Sequence, residues 1–425
     1  MTSYARLLRD NPDFARLWLA QVISLLGDWF TTIALSALVV QYSPGSEGLA
    51  ISGLLLARFV PAMLLSPLAG VLVDRFDRKR LLVLSNLLRA FVVLMFLVAT
   101  SGPEWLWLIY VLTILQFVLS SAFEPGQSAI IPAVVARTGL LLANTLVSIT
   151  WSVMLALGAI LGGIIATLFG TGVALLINAL TFAVAAWLIA QIRTDTSHPT
   201  VDHHNRPLQK TSFREGLRFL RANPDVSSLL LIKMGGSIGS VDTLMTIFAT
   251  QIFVLGASGQ LSLGIMNSAY GLGSILGPLL LNRFNNGTVF TMRRLVIAGF
   301  ILEALGWLGL ANGVTLLIVC LALLVRAMGG SVNWTYSTVM IQKSVPDHYL
   351  GRVFSIDMAG FYLAMVTSTF LHGALVDALG GDQVQLIALG TMVVSLIPLV
   401  MWALITRWLE RRQLLAAQSA APTGD

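Results

Sequence analysis

Gly70-Val71-Leu72-Val73-Asp74-Arg75-Phe76-Asp77-Arg78-Lys79-Arg80 is the stretch from which the architecture is read. An apolar run ends there, charge appears abruptly, and a second apolar run starts at Leu81. Such a stretch reads as a tight turn between two membrane helices. Gly70 lets backbones approach closely near the end of the first helix. Asp74 is the early acid, and Arg75, Arg78, Lys79 and Arg80 supply a dense positive cluster that assigns the turn to the cytoplasmic side. One reading stops there, at a charge cluster that sets topology. The spacing G-x-L-x-D-R-x-x-R-K supports a second reading, in which the turn also has a conformational role.

Working outward, hydrophobic residues make up 56% of the 425 positions and charged residues 11%. No soluble core hides that much apolar surface, so the chain is expected to be an all-α integral membrane protein. Apolar runs of about 20 residues, the length that crosses a bilayer, recur along nearly the whole chain. Twelve spans are predicted, at 15–41, 49–73, 81–100, 105–130, 141–167, 171–191, 226–254, 261–283, 293–311, 314–340, 353–376 and 384–408. The net charge of +6 resides in short loops, which argues for topology and against nucleic acid. Loops on one side hold Arg137, Lys210, Arg214, Arg293, Arg294, Lys343 and Arg352, whereas the other side carries acids such as Glu47, Glu104 and Asp382. Both termini are therefore expected in the cytoplasm, in the inner (plasma) membrane of a cell. The N-terminus shows no cleavage-site pattern, and the first span is expected to act as an uncleaved insertion signal. The single cysteine, Cys320, excludes a disulfide within the chain and any cysteine-rich metal site. His198, His203 and His204 lie in a Pro/Thr/Asp stretch without ligand spacing and read as solvated linker.

The chain repeats itself. Leu8-Arg9-Asp10-Asn11-Pro12-Asp13 matches Leu220-Arg221-Ala222-Asn223-Pro224-Asp225, each just before a span. In that register Gly27 falls on Gly239. Asp74-Arg75-Phe76-Asp77 matches Asn282-Arg283-Phe284-Asn285, whose acids have become Asn. Two six-helix halves follow, a parallel repeat. Expected boundaries are 1–192 for the first bundle, 193–222 for a cytoplasmic linker, 223–410 for the second bundle and 411–425 for a cytoplasmic tail.

The turn Gly70–Arg80 resembles the signature between the second and third helices of the major facilitator superfamily. It matches at Gly70, Leu72, Asp74, Arg75, Arg78 and Lys79 and departs at Asp77, where that family usually has Gly. The resemblance implies that Gly70, Asp74, Arg75, Arg78 and Lys79 form a conformational latch. Gly158-Ala159-Ile160-Leu161-Gly162-Gly163 resembles an exporter signature, with Ala159 in place of Pro. The plain reading, that Gly158, Gly162 and Gly163 let one helix press on a neighbour, accounts for the glycines equally well. With Phe123-Glu124-Pro125, Ile131-Pro132, Ala143-Asn144 and the run Gln342–Val353, the chain is similar to the macrolide-efflux-like and siderophore-exporter-like, drug:proton antiporter branch. That likeness implies a central cavity, alternating access, and export of amphipathic compounds against proton entry.

Ionisable groups at membrane depth cost about 2.5–3.5 kcal/mol each on insertion scales, so each needs a reason. Asp28 and Arg58 both fall about 18 Å from the cytoplasmic end of neighbouring antiparallel spans, and a buried pair between them is expected. It is either structural or the site of proton coupling. Asp242, Glu303 and Arg326 are further coupling or substrate candidates, and Lys233 is read as snorkelling. Arg89 either snorkels or joins the charges of the turn after span 2. Trp29, Phe30, Trp151 and Trp334 either line a cavity or pack against lipid and neighbours. Trp105, Trp107, Trp402 and Trp408 read as interface anchors.

The sequence has no phosphate loop, metal-ligand cluster or nucleophile elbow, so neither an enzyme nor a cofactor is expected. The expected partners are a small amphipathic solute, protons and membrane lipid, and the expected state is a monomer. The leading reading is a proton-coupled exporter. The alternatives are a lipid or lysophospholipid flippase of the same fold and a transport-dead scaffold or sensor.

Overall fold

The computed structural model describes residues 4–121, 123–136, 139–194 and 213–419, and all regular structure among them is helical. Helices run in the order α1 Tyr4–Asp10, α2 Pro12–Gln41, α3 Glu47–Arg75, α4 Arg78–Ala99, α5 Leu106–Ser120, α6 Phe123–Val134 and α7 Leu140–Ala190. They continue as α8 Phe213–Ala222, α9 Pro224–Gly236, α10 Val241–Ile247, α11 Gln260–Leu281, α12 Val289–Ala311, α13 Leu316–Ser344, α14 Asp347–Leu379 and α15 Val384–Ser419.

Ten helical segments among the described residues are long and apolar enough to cross a membrane. One of them is double. The run α7 holds 51 residues, about 77 Å at 1.5 Å each, far more than a bilayer core, and it breaks at Gly170 (φ 82°, ψ 165°). Only glycine reaches that backbone region without strain. The break splits α7 into the spans expected on either side of it. The seventh span is also interrupted. It consists of α9, a break at Ser237–Ser240 with Gly239 at φ 88°, the short α10, and a π-helical turn Phe248–Ile252. Counting α7 as two and the interrupted seventh segment as one, the described residues place helix at each of the twelve expected positions.

The repeat seen in sequence is also a repeat in geometry. Asn11 (φ −125°, ψ 77°) and Asn223 (φ −126°, ψ 77°) precede α2 and α9, each followed by Pro at the first helical position. Asn11 Nδ2 donates to Leu7 O at 2.9 Å, and Asn223 Nδ2 to Phe219 O at 2.8 Å. Asp13 accepts bonds from the backbone N–H of Arg193 and Thr194, and Asp225 pairs with Arg412 at 3.5 Å. Each acid thus ties the start of its helix, α2 or α9, to a segment far along the chain. The short helices α1 and α8 dock through Leu7 and Leu220, which are buried in separate apolar cores.

Two compact units emerge: Met1–Pro207 with Val241–Gly271 and Thr369–Val384, and Leu208–Ser240 with Leu272–Ser368 and Gln385–Asp425. The first contains the core around Phe14, Leu17, Leu82 and Ile189; the second contains that around Leu229, Val296, Phe300 and Met340. Lipid tails supply no hydrophobic drive for helix association, so close contact relies on small residues. Gly158 lies against Trp29, Gly162 against the Trp29–Phe30 backbone, and Gly163 against Gly264 of α11. Trp105, Trp107 and Trp408 are exposed near helix ends, but Trp402 corrects the anchor reading. It is buried in the second unit and its indole N–H donates to Arg293 O at 3.0 Å.

Candidate transport site

The first unit places Asp28 opposite Arg89 rather than Arg58. Arg89 Nη2 on α4 meets Asp28 Oδ2 on α2 at 2.7 Å, with side-chain exposures of 6% and 34%. The guanidinium also stacks over the Phe182 ring of α7 at 4.1 Å. Gly27, one residue earlier, has no Cβ, so Asn178 and Thr181 of α7 can approach α2 closely. Asn178 Nδ2 then donates to Thr31 Oγ1 at 2.7 Å. The expected Asp28–Arg58 pair is therefore corrected: the hydrogen-bonded partner of Asp28 is Arg89, and Asp28 reaches Arg58 only through space. Arg58 lies over the Phe117 ring of α5 at 5.1 Å, and its Nε has no hydrogen-bond partner among the described residues. Two carboxylates act on it through space, Asp242 first and Asp28 second. Nearby, Gln127 Nε2 of α6 donates to Gln21 Oε1 of α2 at 2.7 Å, both buried.

The second unit holds a denser arrangement. Lys233 Nζ on α9 meets Asp357 Oδ2 on α14 at 2.6 Å, with exposures of 2% and 0%. Lys233 does not snorkel, because its ammonium has this buried partner and sits 4.6 Å from the centroid of the Trp334 ring. Asp357 was not a sequence candidate, although a lone acid inside an expected span is a signal that sequence carries. Glu303 of α12 is buried and accepts from Asn333 Nδ2 at 3.0 Å; the charge of Arg326 on α13 acts on it. Arg326 in turn lies over the Trp307 ring at 4.8 Å. Gly236, at the end of α9, leaves room beside the Glu303 carboxylate.

The break in the seventh span explains why charge is tolerated there. Lys233 sits in the last turn of α9 and Asp242 in the first turn of α10. A cation at a helix C-terminus and an anion at an N-terminus are each favoured by the local dipole.

The aromatic candidates separate. Phe30 is core, packed with Ala34, Ala166 and Ala174. Trp29 is wedged against Gly158, Trp151 is exposed, and Trp334 belongs to the Lys233 arrangement.

At the basic end, the side chains of Gly70, Asp74, Arg75 and Glu124 lie outside the described residues, as do His198, His203 and His204. Asp77 caps α4, its Oδ1 accepting from Arg80 N at 2.7 Å, which gives the departure from Gly a structural role. Lys79 Nζ donates to Ile192 O at 2.7 Å, just past the C-terminus of α7. At the opposite end, a lock that the sequence reading missed holds the first unit together. Asp377 of α14 accepts from Gly48 N at 2.7 Å and Leu49 N at 3.0 Å, capping α3 from another helix. Gly48 and Gly373 allow that approach, and Ser52 Oγ donates to Thr369 O at 2.8 Å. Gln260 Nε2 to Thr171 at 3.1 Å and Ser258 Oγ to Gln41 at 2.9 Å extend the lock. Between α3 and α5 runs an apolar groove of about 860 Å³, lined by Leu56, Val60, Leu64, Tyr110, Ile114 and Val118. No metal-ligating cluster occurs among the described residues.

Comparison with known proteins agrees with this architecture. Residues 2–419 match the profile of the transmembrane secretion effectors. Macrolide efflux protein A of Streptococcus pyogenes is 24% identical, over 90% of this chain and 94% of that protein. Enterobactin exporter EntS of Escherichia coli O127:H6 is 25% identical, over 88% of this chain and 86% of that protein. The crystal structure of the nucleoside transporter NupG aligns with a TM-score of 0.69 at 15% identity, covering 92% of this chain and 98% of that one, a likeness of fold. The match over residues 2–419, on an all-helical membrane architecture, makes this a multi-pass secondary transporter of the major facilitator class, not an enzyme. Within that class the chain belongs to the transmembrane secretion effector family.

Proposed function

We propose that this protein exports amphipathic small molecules by alternating access, driven by protons entering in the opposite direction, with its basic end and both termini in the cytoplasm. The observation that carries this reading is the set of carboxylates placed at membrane depth beside cations: Asp28 with Arg89, Glu303 beside Arg326, and Asp357 with Lys233. Burying such groups is costly, and inside membranes they mark ion pathways and relays. A carboxylate that alternates between a cation and a proton lets a proton gradient bias a conformational equilibrium. The relatives named for macrolide efflux and enterobactin export support the outward direction and the small-molecule cargo.

Inverted vesicles given an amphipathic dye in the outer medium test the reading. Dye should accumulate when the vesicle interior is acidified and collapse when the gradient is dissipated. Accumulation indifferent to the gradient would sink proton coupling. A second reading, flipping of a lipid or lysophospholipid, is favoured by the apolar groove between α3 and α5, which has the size for an acyl chain. It predicts redistribution of a fluorescent lysolipid between leaflets without any gradient. Leu56→Trp, at the groove wall, should slow that redistribution and leave dye export unchanged.

A further inference from the structure

The surroundings of Lys233 are built as a receptor for a cation. Its ammonium is held by Asp357 Oδ2 at 2.6 Å, by the Trp334 ring at 4.6 Å and by the Phe354 ring at 5.7 Å. Phe361 meets the Trp334 indole edge-on at 5.1 Å and braces it. A carboxylate joined to aromatic faces attracts any ammonium group, whether the protein's own or a ligand's.

Two observations indicate that the arrangement is not merely a structural ion pair. Asp357 Oδ1 is buried and has no hydrogen-bond partner among the described residues. A carboxylate accepts about four hydrogen bonds, so much of the capacity of this one is unused. Stability alone does not favour such a group, because an apolar pair of equal volume commonly serves as well or better. Secondly, the arrangement has an open side. Trp334 is 44% exposed although the ion pair behind it is buried.

We propose that Asp357, Trp334 and Phe354 form an organic-cation site, and that Lys233 is its built-in occupant, displaced when a solute presents a protonated or quaternary amine. Lys233 carries a point charge on a flexible four-carbon stem, so it can withdraw without moving the backbone. The last turn of α9, to which it belongs, keeps a displaced cation in favourable potential. The substrate class is then an amphipathic amine. This deepens the transport reading above and rests on it.

Equilibrium binding to the purified full-length protein in nonionic detergent tests the assignment, using fluorescence anisotropy with rhodamine 6G as an aromatic cation and fluorescein as an aromatic anion. The wild type should bind rhodamine 6G at least tenfold more tightly. The double variant Lys233→Met with Asp357→Asn leaves no uncompensated charge, and its preference for the cation should fall to within twofold. Trp334→Leu should weaken rhodamine 6G binding at least fivefold and leave fluorescein binding unchanged, with Trp334→Phe restoring most of it. The proposal is overturned if the double variant retains the wild-type preference, or if the wild type prefers fluorescein, which would make Lys233 an anion ligand. Should the double variant not fold, the Trp334 pair decides: equal binding by Trp334→Leu and wild type overturns the site. Binding is read without a gradient. Intact cation selectivity with no dye movement in vesicles defeats the transport reading alone, whereas export without cation selectivity defeats this one alone.

Discussion

Arg89 is gripped from two directions, by the Asp28 carboxylate and by the Phe182 ring. Arg89→Ala removes both and leaves Asp28 without its cation, a change that costs about 3 kcal/mol for buried pairs. Thermal unfolding of the purified variant should show a clear loss of stability, with Arg89→Lys intermediate because a lysine keeps the charge but not the planar stack. Asp28→Asn should retain solute binding and remove the dependence of export on a proton gradient, read in inverted vesicles. A variant that exports with wild-type gradient dependence would move the coupling to another carboxylate. At this scale sequence locates the groups and not their partners. Asp28, Glu303 and Arg326 stood out because charge inside an apolar run demands a reason. Helical rise converts residue number into depth, but it does not state which way a side chain faces. Asp28 and Arg58 were therefore matched by depth, while the fold turned Asp28 towards Arg89. Asp357 escaped because it lies near the start of its span, close to the charged turn before it.

The seventh span shows the same limit among helices. Gly235-Gly236-Ser237-Ile238-Gly239-Ser240 continues an apolar pattern, so hydropathy carries the span straight through. The structure stops α9 at Gly236 and restarts the helix at Val241, with Gly239 at φ 88° packed against Trp307 and Thr391. Gly239→Ala combines a strained backbone with that crowding and should destabilise the protein by about 1–3 kcal/mol, read as a lowered unfolding temperature. The lock at the acidic end makes a separate prediction. Asp377→Ala deletes two charge-assisted bonds to the α3 N-terminus, each worth about 1.5–3 kcal/mol. The locked population should fall by at least tenfold, seen as faster maleimide labelling of a cysteine placed at the buried Ala50 in a Cys320→Ser background. Unchanged labelling would show that the glycine contacts and the remaining hydrogen bonds hold that end without Asp377. No sequence motif announced this lock, because its acceptor is one ordinary carboxylate and its donors are backbone groups.

For the whole molecule, the all-helical membrane architecture and the family resemblance were legible, since they depend on run length and on signature turns. The matched six-residue runs ending at Asp13 and Asp225 also share backbone angles at Asn11 and Asn223. The placement of basic loops makes orientation testable. In intact cells expressing a Cys320→Ser background, Ser46→Cys should react with an impermeant maleimide, and Asn286→Cys should react only after the membrane is opened. The reverse pattern would overturn the assignment of the basic end to the cytoplasm. What sequence could not supply was the grouping into compact units, because the division falls within spans, at Ser240–Val241, Gly271–Leu272 and Ser368–Thr369, where hydropathy is featureless.

The join at Gly170 carries a mechanical consequence. The two limbs of α7 share one joint residue, so a displacement of the end of the limb before Gly170 carries with it the start of the limb after it. The joint passes translation from one limb to the other and leaves their tilt free. An antibody fragment clamped on its tip would brace both limbs at once and freeze the protein in whichever posture it gripped.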